Sequence, residues 1–317
     1  MIEALKFVQG AVARKDLVPA LTHFRIENGH VRGFNGSIAL SSPIAFNLSC
    51  SPKAAPFVKA IQTCDETIQL SLTANNKLAI TSGGFTVYIE CLDTNDFPNI
   101  APEGECIPLE PQFIDVVKRL NPFIAEDASR PWARGIMVTG SSAFATNNII
   151  FVEQWIGSEV PFRVNIPKDT VQELVRIGTA PSHIQVAESS VSFLYNDGRW
   201  LRSQLLTTEW PSIGGLLDIP AKVTPTPENF FESLRKLVPF TDDSNRVYLL
   251  GDLVSTTREE GMGARVKLPG TPNQGCFNLQ QLLLLDGVAE QIDFSAYPQP
   301  CLFYGQNIRG VILGQRS

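Results

Sequence analysis

Histidines, cysteines and paired acids are the residues of this chain best equipped for chemistry, and their spacing gathers none of them into a catalytic pattern. His23, His30 and His183 are far apart, and none belongs to an HxxxH or HxE arrangement. Cys50, Cys64, Cys91, Cys106, Cys276 and Cys301 include no CxxC pair. In a reducing compartment such cysteines read as small buried hydrophobes; the alternative is a metal site or a disulfide assembled by the fold. Glu259-Glu260 and Asp242-Asp243 sit in polar, loop-like segments where carboxylates are solvated. The chain has no GxxxxGK[ST], GxSxG or HExxH and no glycine-rich dinucleotide loop after a strand. The expectation is a non-catalytic protein with no metal and no cofactor.

The cations are more informative. Net charge is −6 and the isoelectric point is near 5.2. Bulk positive charge therefore cannot hold a polyanion, which leaves cations gathered on one surface. On a helical wheel over 113–124, Lys118 and Arg119 point away from the apolar stripe, with Asp115 between them. Arg235 and Lys236 take the equivalent place further on. Lys6, Lys53, Lys59, Lys168 and Arg176 are the other helix cations, and Arg14-Lys15 follow the first helix. Singly, each reads as a solvated side chain. Their recurrence at one place in repeated segments points to a shared face, although the last helix, NLQQLLLLDGVAEQ, carries no cation.

The elements that position these residues repeat. Residues 92–100, LDTNDFPNI, match 205–213, LLTTEWPSI, at an offset of 113 residues. A unit that long is a domain. KLAITSGG with FTVYIECL, and SVSFLYNDG with RWLRSQLL, precede the two copies and read as hairpins. A third hairpin, PCLFYGQN with IRGVILGQ, closes the chain. Each section opens on an apolar helical stripe: Ile2, Leu5, Val8, Val12; Phe113, Val116, Val117, Leu120, Ile124; Phe230, Leu234, Leu237, Val238. Each has a second helix, over Pro52–Thr63 (with Ser51 as cap), Pro167–Ile177 and Asn278–Gln291. The reading is α+β: three domains, 1–106, 107–219 and 220–317, each of two helices packed on antiparallel sheets. A composition of 44% hydrophobic and 18% charged residues suits a folded protein. With neither a signal peptide at the start nor an apolar stretch of about 20 residues, a cytoplasmic location is expected and no membrane partner.

This order resembles the β sliding clamp of bacterial DNA polymerase III across essentially the whole chain. The likeness rests on TNDFPNI (94–100), LKFVQGAVARKDLVPAL (5–21), AEDASRPWARGIMV (125–138), FATNN (144–148), NIPKDTVQELVRI (165–177), Phe277-Asn278 and the closing GVILGQRS. No one of these is specific; their order and spacing carry the resemblance. Departures are Asn147-Asn148-Ile149-Ile150, where the family has Asp-Gly-His-Arg, and Leu313-Gly314-Gln315-Arg316-Ser317 in place of Met-Pro-Met-Arg-Leu. The chain is also short for a cellular member. A divergent, phage-encoded clamp accounts for all three.

The resemblance implies a homodimeric head-to-tail ring around double-stranded DNA, with helices lining the hole and sheets forming the wall. The cations named above would then face DNA. The match also puts Arg130 and Trp132 at DNA-touching positions, with packing of Trp132 on the domain boundary as the equal alternative. It implies a cleft for short linear peptides of polymerase and clamp-loader subunits, built from Ala133, Thr146, Phe151, Pro211, Leu216, Asn278, Gln281, Val311 and Leu313. Such a protein works in the cytoplasm at the nucleoid or replication fork. A structural, virion-type β-rich repeat protein without DNA binding is the rival; it leaves the amphipathic helix pairs unexplained.

Overall fold

A computed structural model describes residues 1–315 except Asp16, Glu66, Ala128 and Asn273, and only the backbone of Asn95. Ala128 of the 125–138 segment and Arg316-Ser317 of the closing one lie outside the described residues.

In chain order the first section holds α1 (Ile2–Gln9), β1 (Arg25–Glu27), β2 (His30–Phe34), β3 (Ile38–Pro43), β4 (Ser51–Pro52), α2 (Ala54–Thr63), β5 (Gln69–Leu72), β6 (Lys77–Ser82) and β7 (Phe85–Leu92). The second holds β8 (Glu105–Pro108), α3 (Phe113–Leu120), β9 (Gly135–Thr146), β10 (Ile150–Pro167), α4 (Lys168–Ile177), β11 (His183–Val186), β12 (Ser190–Leu194) and β13 (Trp200–Gln204). The third holds β14 (Thr224–Pro225), α5 (Phe230–Leu237), β15 (Arg246–Leu249), β16 (Leu253–Ser255), β17 (Arg265–Lys267), β18 (Gly275–Asn278), α6 (Leu279–Leu283), β19 (Gln291–Ile292), β20 (Cys301–Gly305) and β21 (Ile308–Ile312). Each section thus carries two helices, in the order read from sequence, and the three expected hairpins are β6–β7, β12–β13 and β20–β21.

These elements form two compact units that cut across the sections. The first comprises Met1–Ile114 with Asp169–Leu206, the second Asp115–Lys168 with Thr207–Ser317. In the first, a seven-stranded antiparallel sheet runs β1-β2-β3-β13-β12-β11-β8, and a smaller sheet runs β4-β7-β6-β5. Expected boundary 106 falls inside β8 of the larger sheet. Leu5, Phe7 and Val8 of α1 and Phe57, Val58 and Ile61 of α2 are buried. β7 pairs with β6 over Phe85–Glu90, whereas its other edge meets β4 only at Cys91 and Leu92. Lys53 N–H continues that contact to Glu90 O at 3.1 Å, and among the described residues the Phe85–Ile89 edge is open, with Tyr88 61% exposed.

The second unit contains the six-stranded sheet β14-β19-β20-β21-β10-β9 and the four-stranded sheet β17-β16-β15-β18. β9 and β10 form its long central hairpin. Asn147 Oδ1 accepts from the N–H groups of Ile149 (3.1 Å) and Ile150 (2.8 Å), while Thr146 Oγ1 accepts from Asn148 N–H and donates to Ile150 O. Asn148 takes φ +74°, which asparagine tolerates better than most residues. The Asn147–Ile150 departure thus builds a self-sufficient hairpin turn.

The helix bounds needed correction. Ser51-Pro52 form β4, so α2 begins at Ala54 without a side-chain cap, and Pro56 occupies its first turn. Pro167 ends β10. α6 stops at Leu283, well short of Gln291: leucines on every side define no single apolar face, and Gly287 turns the chain at φ +69° toward β19. α1 ends at Gln9, leaving Val12 outside. A Cβ on Gly10 would meet the Glu173 carboxylate, so a larger residue there would displace that side chain and its pairing with Arg176.

Candidate functional site

The repeated aromatic-proline segment has the same job in both units. Phe97 is buried in the first and its carbonyl accepts from Arg25 at 3.4 Å; Trp210 is buried in the second and its carbonyl accepts from Arg163 at 3.4 Å. Trp210 joins an apolar cluster on one face of the six-stranded sheet. There the register aligns Thr146, Phe151, Val311 and Leu302 across β9, β10, β21 and β20. Met137, Phe151, Trp210, Leu217, Leu302 and Val311 are its buried members, with Trp132, Phe144 and Ile213 on its margin. Phe144 stacks on Phe151 at 6.1 Å, and Trp132 meets Trp210 edge-to-face at 5.0 Å. Each such ring contributes about 1.5–3 kcal/mol through burial.

Onto this cluster opens a depression of about 260 Å³, walled by Met137, Phe144, Phe151, Trp210, Pro211 and Ile213, with Thr139 and Arg163 at its edge. It is small and largely apolar, the setting for a hydrophobic side chain of a docked segment. Of the nine expected cleft residues, Phe151 and Pro211 line it, and Val311 lies in the supporting cluster. Ala133 is fully buried, and Thr146 is buried with its hydroxyl committed to the hairpin turn. Leu216 and Leu313 are exposed and are not among the depression's walls. Asn278 caps α6 by accepting from Gln281 N–H at 3.1 Å, and Gln281 Oε1 accepts from Asn147 Nδ2 at 2.5 Å. Those two residues therefore anchor the hairpin turn beside α6. Phe144, Met137, Trp210 and Ile213 were missed; Phe144 was findable, because it lies two residues before Thr146 on the same strand face.

The cations divide into three groups. Arg14, Lys15, Lys53 and Lys59 are exposed, and among the described residues no ion pair holds them. Lys6, Lys118 and Lys236 are exposed and pair within their own helices with Glu3 (3.3 Å), Asp115 (3.7 Å) and Glu232 (3.4 Å); Arg235 pairs with Asp286. Solvent screens such pairs to a fraction of a kcal/mol, so these cations are available to an anion. Lys168, Arg176 and Arg119 are engaged. Lys168 pairs with Glu126 and its side chain is only 12% exposed. Arg176 pairs with Glu173 and donates to the carbonyls of Phe7 (2.7 Å) and Lys6 (3.4 Å), satisfying the end of α1. Arg119, read from sequence as solvent-facing, is half-buried and donates to Gln306 O at 2.7 Å and Gln154 Oε1 at 3.3 Å. Arg130 is exposed and donates to Asn148 Oδ1 at 3.2 Å; Trp132 packs into the apolar cluster.

Lys6, Arg14, Lys53 and Arg176 also line a depression of about 310 Å³ in the first unit, with no carboxylate among the described residues that line it. α2 begins there with no acidic residue in its first turn, so its free N–H groups add to the positive field. A second depression of about 580 Å³ nearby mixes Lys6, Arg176 and Arg199 with Glu3 and Asp197.

The titratable residues stay dispersed. His23 Nδ1 lies 2.7 Å from Pro19 O, and burial pushes its pKa down. Asp242 accepts from Ser244 N–H and Oγ, bonds that hold its carboxyl below the usual range. Among the described residues no group of three His, Cys, Asp or Glu side chains could hold a metal ion, and no helix is long and apolar enough to cross a membrane.

No protein-family model and no curated protein matches the chain. Solved structures do. A DnaN sliding clamp (DNA polymerase III subunit beta) from Pseudomonas aeruginosa, bound to griselimycin, aligns with TM-score 0.86 at 17% identity, covering 100% of this chain and 97% of that one. The β subunit of Streptococcus pyogenes DNA polymerase gives 0.86 at 16%, and the Bacillus subtilis DNA polymerase sliding clamp 0.85 at 17%, with the same coverage. Likeness of this extent at such low identity identifies the architecture, and the chain has the α+β fold of the DNA polymerase III β sliding clamps.

Proposed function

We propose that this protein is a sliding clamp, a non-catalytic processivity factor that encircles duplex DNA and tethers a polymerase. The full-length likeness to β clamps carries the reading, since both chains are covered almost completely. In this reading the three sections are three clamp domains, and two copies join head to tail into a ring. The open Phe85–Ile89 edge with Tyr88, and Phe240 at 62% exposure, supply apolar surface for that junction. The ring works in the cytoplasm, where the replication fork is.

A tether that travels with a polymerase cannot grip, because every tight phosphate contact would have to break at each step. A closed ring holds by topology and needs only a weak positive field. The exposed cations on α1, α2, α3 and α5 and the cation-lined depression at α2 support such a field. The aromatic depression beside Pro211 supports docking of linear peptides from polymerase and loader subunits by an apolar anchor. The reading is tested by loading the protein with a bacterial clamp loader onto nicked circular DNA. Retention on the circle and run-off after linearisation are expected; equal loss from both forms would overturn it.

A further inference from the structure

Among the described residues that line the aromatic depression beside Pro211, Arg163 is the one charged side chain. Its backbone is fixed in the β9–β10 ladder, with Arg163 opposite Thr139 and Val164 opposite Val138. Its guanidinium donates to Trp210 O at 3.4 Å, which holds the charge beside a ring that walls the depression. Arg163 is exposed, and among the described residues no carboxylate lies within ion-pair distance of it, Glu209 next to Trp210 included. The first unit supplies the comparison. Phe97, the repeat counterpart of Trp210, offers its carbonyl to Arg25 at the same 3.4 Å. Arg25, however, is neutralised by Glu27 at 2.9 Å, and its side chain is only 16% exposed. One arginine serves the fold with its charge cancelled. The other leaves most of its planar donor fork, and its charge, at the mouth of an apolar depression.

We infer that Arg163 sets the specificity of this depression, selecting linear peptides that carry a carboxylate two residues from the apolar anchor. The inference rests on the depression being the peptide-docking site. The spacing follows from an extended peptide, in which residues two apart face the same side and stand about 7 Å from each other. With the anchor seated among Phe144, Phe151 and Ile213, the second side chain reaches the rim where Arg163 lies. A guanidinium matches a carboxylate with paired hydrogen bonds, and the apolar walls reduce water's competition for them. A lysine at that place in the peptide meets a like charge instead, so the same residue rejects as well as selects.

The test uses the full chain and a fluorescein-labelled polymerase peptide that binds bacterial β clamps. The peptide is synthesised with Glu, Gln or Lys at the positions two residues to either side of its apolar anchor, and fluorescence anisotropy gives each Kd. An exposed ion pair changes affinity by about three- to fivefold. The native protein should therefore bind the Glu peptide tighter than the Gln peptide by about that factor and the Lys peptide weakest, with the differences shrinking as salt rises. Arg163→Gln should bind all three alike. Arg163→Glu should prefer the Lys peptide, a reversal that loss of the Trp210 contact alone does not produce. Equal binding of the three peptides by the native protein, or a Glu preference that survives Arg163→Gln, would overturn the inference; the docking reading would stand as long as Ile213→Asp removes binding. Binding of no peptide, or binding indifferent to Ile213→Asp, would overturn both. Self-association abolished by Ile213→Asp would give the depression to a second copy and likewise overturn both.

Discussion

Lys118 and Arg119 are neighbours that a helical wheel treats alike, and their replacement should have opposite consequences. Arg119→Ala removes three charge-assisted hydrogen bonds, to Gln306 O (2.7 Å), Gln154 Oε1 (3.3 Å) and Gly287 O (3.5 Å), from a half-buried guanidinium. Hydrogen bonds to charged groups contribute about 1.5–3 kcal/mol each. The bonds to Gln154 and Gly287 are long and the Gln306 carbonyl sits in an exposed turn and regains water, so the total falls to the worth of a single such bond, about 2 kcal/mol. At a urea m-value of about 3 kcal/mol/M this lowers the unfolding midpoint by about 0.7 M. Tryptophan fluorescence reports the right region, since Trp132, Trp155 and Trp210 share the second unit with Arg119 and only Trp200 belongs to the first. Lys118→Ala, which breaks only the exposed pair with Asp115, should leave the midpoint within about 0.2 M. On DNA the order reverses at equal folded fraction: Lys118→Glu should weaken binding, and Arg119→Ala should not. Equal midpoints for the two alanine variants would refute the assignment of Arg119 to the fold.

Four further outcomes are expected. Arg14→Glu with Lys53→Glu should reduce the slope of log K against log salt for duplex DNA by about 2, read by fluorescence anisotropy; an unchanged slope means these residues do not face phosphate. Ile213→Asp, at the margin of the aromatic depression, should weaken binding of a clamp-binding polymerase peptide at least about tenfold by calorimetry with the circular dichroism spectrum retained. Tyr88→Glu and Phe240→Glu should each lower dimer affinity about 30-fold, the loss of one buried aromatic near 2 kcal/mol, seen as a shift to monomer in light scattering. His23 is buried with its pKa pushed below 6.5, so below that pH the unfolded chain takes up a proton that the folded chain refuses. Stability should therefore fall as pH drops from 7 toward 5, and His23→Gln should flatten that slope in urea titrations.

Periodicity and turn chemistry made the element order readable before the fold was known. Gly83-Gly84, Asp197-Gly198 and Gln306-Asn307 turn the three expected hairpins, with Gly83, Gly198 and Asn307 at positive φ. The hidden parts were tertiary. Ser51-Pro52 looked like a helix start and became β4, because pairing with Cys91-Leu92 outweighs a local capping preference. The leucine run after Asn278 looked like a long helix, yet only Leu279–Leu283 is helical. In the candidate cleft Phe151 and Pro211 were legible by position. Phe144 was legible too, two residues before Thr146 on one strand face, whereas Ile213 depends on which sheet face carries the cluster, and that is fixed by the pairing of β10 with β21. Arg119 and Arg176 were indistinguishable from solvated cations because the carbonyls they satisfy belong to distant segments.

The central claim is topological, and topology can be measured without a loader. The protein is threaded onto linear duplex DNA with biotinylated ends, the ends are blocked with streptavidin, and the complex is washed in high salt. A ring should stay bound at salt concentrations that abolish phosphate contacts, then leave within one wash after a restriction enzyme cuts the duplex and opens new ends. Loss during the salt wash before cutting, or retention after it, would contradict encirclement.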